Sequence, residues 1–81
     1  MQHVIIARPT IGHPLFMHWL DGDAADAAAA AATIAAVESR PVEVHRLAND
    51  RIERVTRHHP DGSITVPALF RDGGLISAIT L

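Results

Sequence analysis

The chain has no cysteine, which excludes a disulfide framework, a thiolate zinc site and redox dithiol chemistry. It also lacks lysine and tyrosine, so every basic side chain is an arginine, and its aromatics are two phenylalanines and one tryptophan. No long apolar run is present: the uncharged alanine stretch 27–37 is too short to span a bilayer and only weakly hydrophobic. The opening MQHVIIARPT carries no basic leader, and Pro9 and Pro14 interrupt its apolar character. The expectation is a protein with no signal peptide, soluble and cytoplasmic. A net charge of −2 gives no bulk attraction to nucleic acid or acidic membranes.

Eighty-one residues predict one small domain spanning 1–81. A chain this short buries only about 60–65% of its unfolded surface, so its stability margin is thin unless a partner or a second copy adds contacts. The charges are unevenly placed. Residues 1–39 carry Arg8 against Asp21, Asp23, Asp26 and Glu38. Residues 40–59 carry Arg40, Arg46, Arg51, Arg54 and Arg57 against Glu43, Asp50 and Glu53.

What the chain has in excess is alanine. Residues 23–40, DAADAAAAAATIAAVESR, form the strongest helix former's own tract, and a long helix is predicted there. Asp23 is the expected N-cap and Asp26 sits where a carboxylate meets free N–H groups and the helix dipole. Pro41 ends the helix near Arg40. Ile34 and Val37 are its expected large anchors, with Ala27, Ala30 and Ala31 extending their stripe. Before it, HVIIA at residues 3–7 reads as a buried strand ended by Arg8-Pro9, and PLFMHWL at 14–20 reads as a short helix opened by Pro14 and closed by Gly22.

The stretch after Pro41 has two readings. In the preferred one, residues 42–48 and 51–57 form a hairpin about Asn49-Asp50. That register pairs Leu47 with Ile52, Arg46 with Glu53 and Val44 with Val55. Turns at Pro60-Asp61-Gly62 and Asp72-Gly73 then continue a four-stranded meander, the last pairing Phe70 with Leu75 and Leu69 with Ile76. The predicted fold class is α+β: helices 14–20 and 23–40 on a mainly antiparallel sheet with a C-terminal β-meander. In the alternative, Asp50 caps a helix over 51–59 with Glu53 completing a capping box.

The alternative carries a resemblance. The segment 64–73, ITVPALFRDG, resembles the part of thioredoxin-fold proteins where a cis-proline precedes a strand and a glycine turn. Residues 8–14 lie after the first strand, where glutaredoxin-like relatives carry a cysteine motif; here Thr10, Ile11, Gly12 and His13 stand in that loop. The resemblance covers about twenty residues and lacks the usual final helix. It implies a cysteine-less thioredoxin-like fold without dithiol chemistry, a helix over 50–59 and Pro67 as a cis-proline.

Chemistry is sparse. The six histidines show no i, i+4 zinc-protease pair. In the expected hairpin His45 and His58 share a face with Glu43, short of the three or four supported ligands zinc needs. Ser39, Ser63 and Ser77 lack a paired base, so neither a catalytic residue, a metal nor a cofactor is expected. Arg46, Arg51, Arg54 and Arg57 make a candidate phosphate-gripping surface, offset by interleaved acids and the lack of a stacking aromatic. The expected function is non-catalytic protein binding. Leu15, Phe16 and Trp19 are the candidate anchors for a partner or a homodimer, since Trp is enriched at interface hot spots. In size and layout the chain is similar to small phage-encoded anti-CRISPR inhibitors. That similarity implies an inhibitor or adaptor covering a surface of a larger protein or nucleoprotein complex, with weak nucleic-acid binding by the arginines as the alternative.

Overall fold

The alanine tract does form a helix, α1 (Ala24–Glu38), and both ends are chemically defined. Asp23 is the N-cap: its Oδ1 accepts from the Asp26 N–H at 2.9 Å. The Asp26 carboxylate returns the favour, accepting from the Asp23 N–H at 3.2 Å, which closes a capping box with aspartate in the usual Glu/Gln place. At the other end Ser39 takes the left-handed conformation and donates its N–H to Ala35 O, satisfying a terminal carbonyl. Asp23→Ala removes one half of this box and should cost about 1 kcal/mol in a urea unfolding curve.

The structure is a computed structural model, and it describes residues 2–49 and 51–67. Five strands accompany the helix: β1 (Gln2–Ala7), β2 (Phe16–Asp21), β3 (Val42–Ala48), β4 (Arg51–His58) and β5 (Ile64–Thr65). They form one sheet in the order β2-β1-β3-β4-β5, with every neighbouring pair antiparallel. This is a small α+β fold, with one helix packed across one face of a five-stranded antiparallel sheet. Strand side chains alternate between faces. Ile5 and Ala7 of β1 and Val42 and Val44 of β3 face α1, where Ala27, Ala31 and Ala35 complete the buried cluster. Phe16, Leu20, Ala30 and Ile34 pack around it. The far face buries Val4, Ile6, His45 and Val55.

The buried stripe of α1 follows an i, i+4, i+8 line of alanines, so the helix meets the sheet through methyl groups. Val37, expected as an anchor, is 76% exposed. It lies two residues from Ala35, about 200° round the helix from the stripe's last member, so it points to solvent. Ile34, one position before Ala35, does reach the core.

The segment 14–20, expected as a short helix, is instead strand β2, paired with β1 from Gln2↔Asp21 to Ala7↔Phe16. The physical reason is twofold. A helical turn this short cannot offset its nucleation cost alone, and His13 before Pro14 offers no good cap. A hairpin gives the same residues a full ladder, with Phe16 and Leu20 turned toward α1 and Met17 and Trp19 turned away.

The hairpin of β3 and β4 forms as expected, with Asn49 at positive φ in its turn; Asp50 lies outside the described residues. Its register is different beyond the first apolar pair. Leu47 pairs with Ile52, but Arg46 pairs with Arg54, His45 with Val55 and Val44 with Thr56. Glu53 is the extra residue of a β-bulge between Arg46 and Leu47. A slip of one residue exchanges the faces of every later side chain. Val55 therefore joins the far face opposite His45, and His58 lies opposite Val42 on the helix side. The expectation that His45 and His58 share a face fails for this reason.

β4 also replaces the alternative helix over 50–59, and no described peptide bond is cis, that of Pro67 included. The arrangement implied by the thioredoxin resemblance is therefore not the one adopted. The turn after β4 is closed by Gly62 N–H donating to His59 O at 2.9 Å, with Gly62 at φ +92°. The expected turn at Asp72-Gly73 and its two pairs lie outside the described residues.

One side chain ties the layers together. Arg40 is buried, and its Nη1 donates to Arg8 O at 3.0 Å while Nη2 donates to Pro14 O at 2.9 Å. Nη2 also meets the Glu38 carboxylate at 3.0 Å. The C-terminal end of α1 is thus fastened to both ends of the loop between β1 and β2.

Candidate functional site

Among the described residues, a surface hairpin and a buried cluster hold chemistry that the fold alone does not require. The first is the β1–β2 hairpin. β2 has a neighbour on one side only among the described residues. Met17 and Trp19 stand on its far face at 46% and 55% exposure, and Leu15 is also exposed just before the strand. At the hairpin tip a small turn is closed by reciprocal bonds between Thr10 and His13, both 2.9 Å, leaving Ile11 fully exposed. Of the three expected anchors, Leu15 and Trp19 are on this surface, while Phe16 is half-buried and packs on the core. An apolar edge strand of this kind offers both unpaired backbone groups and side-chain contacts to another chain.

The second place is a buried ion cluster on the far face, which sequence reasoning missed. Glu43 is buried on β3. Its carboxylate accepts from Arg8 Nη2 at 3.2 Å, Arg57 Nη2 at 2.9 Å and His45 Nε2 at 3.0 Å. Burial pushes the Glu43 carboxyl up. Hydrogen bonds from His45, Arg8 and Arg57, with the charge of Arg8, more than reverse this and lower it from 4.5 to about 2. Because that carboxylate is ionised it acts only as an acceptor, so Nε2 of His45 carries the proton. Nδ1 of His45 is buried without a partner. The signal available in the sequence was a lone acid within VEVH, at a position whose strand neighbours two apart are apolar or histidine.

The four arginines offered as a phosphate-gripping set do not share one surface. Arg46, Arg51 and Arg54 belong to the helix-facing register, opposite Arg54, Ala48 and Arg46 respectively, whereas Arg57 lies across from Glu43 on the far face. Two of them are engaged already, Arg57 with Glu43 and Arg46 with Glu53 at 2.6 Å. This division weakens the nucleic-acid alternative. His58 also lies on the helix side, where burial and the neighbouring His59 lower its pKa, and its Nε2 lies 2.9 Å from Thr56 Oγ1. No three His, Asp or Glu side chains converge to hold a metal among the described residues. No described helix is long and apolar enough to cross a membrane.

By fold, then, the chain is a small α+β protein whose β1–β2 hairpin is, among the described residues, an exposed apolar edge. Comparison with known proteins adds no narrower class: no family model, no curated protein and no solved structure matches it.

Proposed function

We propose that the protein is a non-catalytic protein-binding module whose docking element is the edge strand β2. The observation that carries this reading is the half-exposed pair Met17 and Trp19 on a strand with one side unpaired among the described residues. A partner strand laid along β2 would gain backbone hydrogen bonds from the edge and specificity from pockets around Met17, Trp19 and Leu15. Tryptophan supplies a large contact area at small entropic cost, which suits it as the central anchor. In its narrower form the module is an inhibitor or adaptor that covers a surface of a larger protein or nucleoprotein complex, as small anti-CRISPR proteins do. A second copy of the chain would use the same edge.

Trp19→Ala tests the reading, because its side chain is half outside the fold and its loss leaves the core cluster intact. The variant should keep its circular dichroism and thermal midpoint. It should fail to retain the partners that the wild-type chain captures from its native host, and light scattering should show any self-association lost with them. Retention of the same partners and the same mass by Trp19→Ala would rule out β2 as the docking element.

A further inference from the structure

A row of basic side chains crosses three strands on the helix-facing side. His3 of β1 is opposite Arg46 of β3, which is opposite Arg54 of β4. Like charges directly opposite on one face repel, and among the described residues the row's one printed ion pair is that of Arg46 with the bulged Glu53. Arg54 has no ion pair or hydrogen bond among the described residues. The row borders a cavity of about 180 Å³ between the sheet and the N-terminal half of α1. Two nitrogens of residues that line it are orphaned behind its surface: Nδ1 of His3, a residue only 2% exposed, and Nε of Arg46 are buried and meet no partner in the protein. Buried polar atoms without partners are uncommon in folded proteins and mark places where a ligand or ordered water completes the hydrogen bonding.

The opposite wall has a different character. Ala24, Ala27 and Ala28 present methyl groups, and Val44 lies on the sheet side beneath them. The cavity therefore pairs a basic wall with an apolar one, which is how sites for small amphipathic ligands are built. We infer that this cavity binds a small organic oxyanion: a carboxylate held at Arg46 and Arg54, carried on a short apolar chain that lies against the alanine methyls of α1. A planar guanidinium fork matches a carboxylate in geometry as well as charge. The anion would also relieve the repulsion across the Arg46–Arg54 pair. This site is separate from β2 and does not depend on the protein-binding reading.

The test is a titration of the isotopically labelled full chain with hexanoate, hexanol and inorganic phosphate at constant ionic strength. It follows the backbone amides of Ala24, Ala27 and Ala28 and the Nε–H signals of Arg46 and Arg54. Hexanoate should give saturable shifts at these positions, and hexanol none that saturate. Phosphate, lacking the apolar chain, should bind roughly tenfold more weakly. Arg54→Gln, at an exposed position, should weaken hexanoate roughly tenfold by removing a charge-assisted contact. Ala28→Leu, filling the cavity from the helix side, should abolish it. Shifts that never saturate, phosphate binding as tight as hexanoate, or wild-type affinity in either variant would overturn the assignment.

Discussion

Glu43→Ala should destabilise the domain by about 3 kcal/mol, seen as a lowered urea midpoint with an unchanged slope. The substitution leaves Arg8, Arg57 and His45 facing one another without the carboxylate to which all three donate. Arg8 and Arg57 keep 35% and 40% of their side chains exposed, so water takes up part of their loss. The cost falls chiefly on the fully buried His45, whose Nε2–H is left without an acceptor. Glu43→Gln keeps the shape and removes the charge, so it should recover only part of the loss.

The same cluster fixes how stability responds to acid. Glu43 titrates at about 2 in the folded protein, against 4.5 ordinarily. A group whose folded pKa is depressed contributes stability above its unfolded pKa and loses it as pH falls through the folded value. The contribution of Glu43 is therefore full above about pH 4.5 and disappears between there and pH 2, and amounts to about 3 kcal/mol. Between those limits, wild type should lose stability faster than Glu43→Gln. Parallel pH profiles for the two proteins would show that the carboxylate is not held as described.

The second large effect is expected at the helix–sheet contact. Ala31 is completely buried in the middle of the alanine stripe, where α1 lies close to Ile5 and Val44. Ala31→Leu should cost about 2–3 kcal/mol through overpacking, lowering the thermal midpoint by roughly 10 °C or more in a domain of this size. The natural control is Val37→Ala on the solvent side, which should stay within about 0.5 kcal/mol. A neutral Ala31→Leu would mean the helix can stand off the sheet without penalty.

Those two positions also mark the boundary of what the sequence makes legible. The alanine helix, its Asp23 cap and its stop before Pro41 could be read from local chemistry, because propensity, cap and breaker act within a few residues of one another. The β3–β4 hairpin was legible for the same reason, through Asn49 and the matching Leu47–Ile52 pair. The segment 14–20 was not. Its apolar residues fit a short helix as well as a strand, and the deciding partner, β1, lies across the hairpin from it. The bulge at Glu53 was also hidden, since the Arg46–Glu53 ion pair that suggested the unshifted register does form in the bulged one. From that single residue follow the separation of His45 from His58, the basic row at Arg46 and Arg54, and the meeting of Arg57 with Glu43. Leu15 and Trp19 could be picked out as candidate contact residues by residue type, and both are exposed; the ion cluster and the cavity depend on register and could not.

A helix that rests on a sheet through alanine methyls has a smooth underside. A row of leucine or isoleucine knobs would index its position along the strands, as teeth index a rack. Here Ile34 is the one large helix side chain packed on the cluster, and Ala27, Ala31 and Ala35 are nearly interchangeable under a shift of one turn. Longitudinal placement must then be set at the helix ends. Arg40 is suited to be the peg: its guanidinium is fastened to Arg8 O and Pro14 O at one end of the molecule, while the Asp23 cap closes the other. In this fold one buried arginine, helped by Ile34, does the indexing that a row of large core side chains does elsewhere.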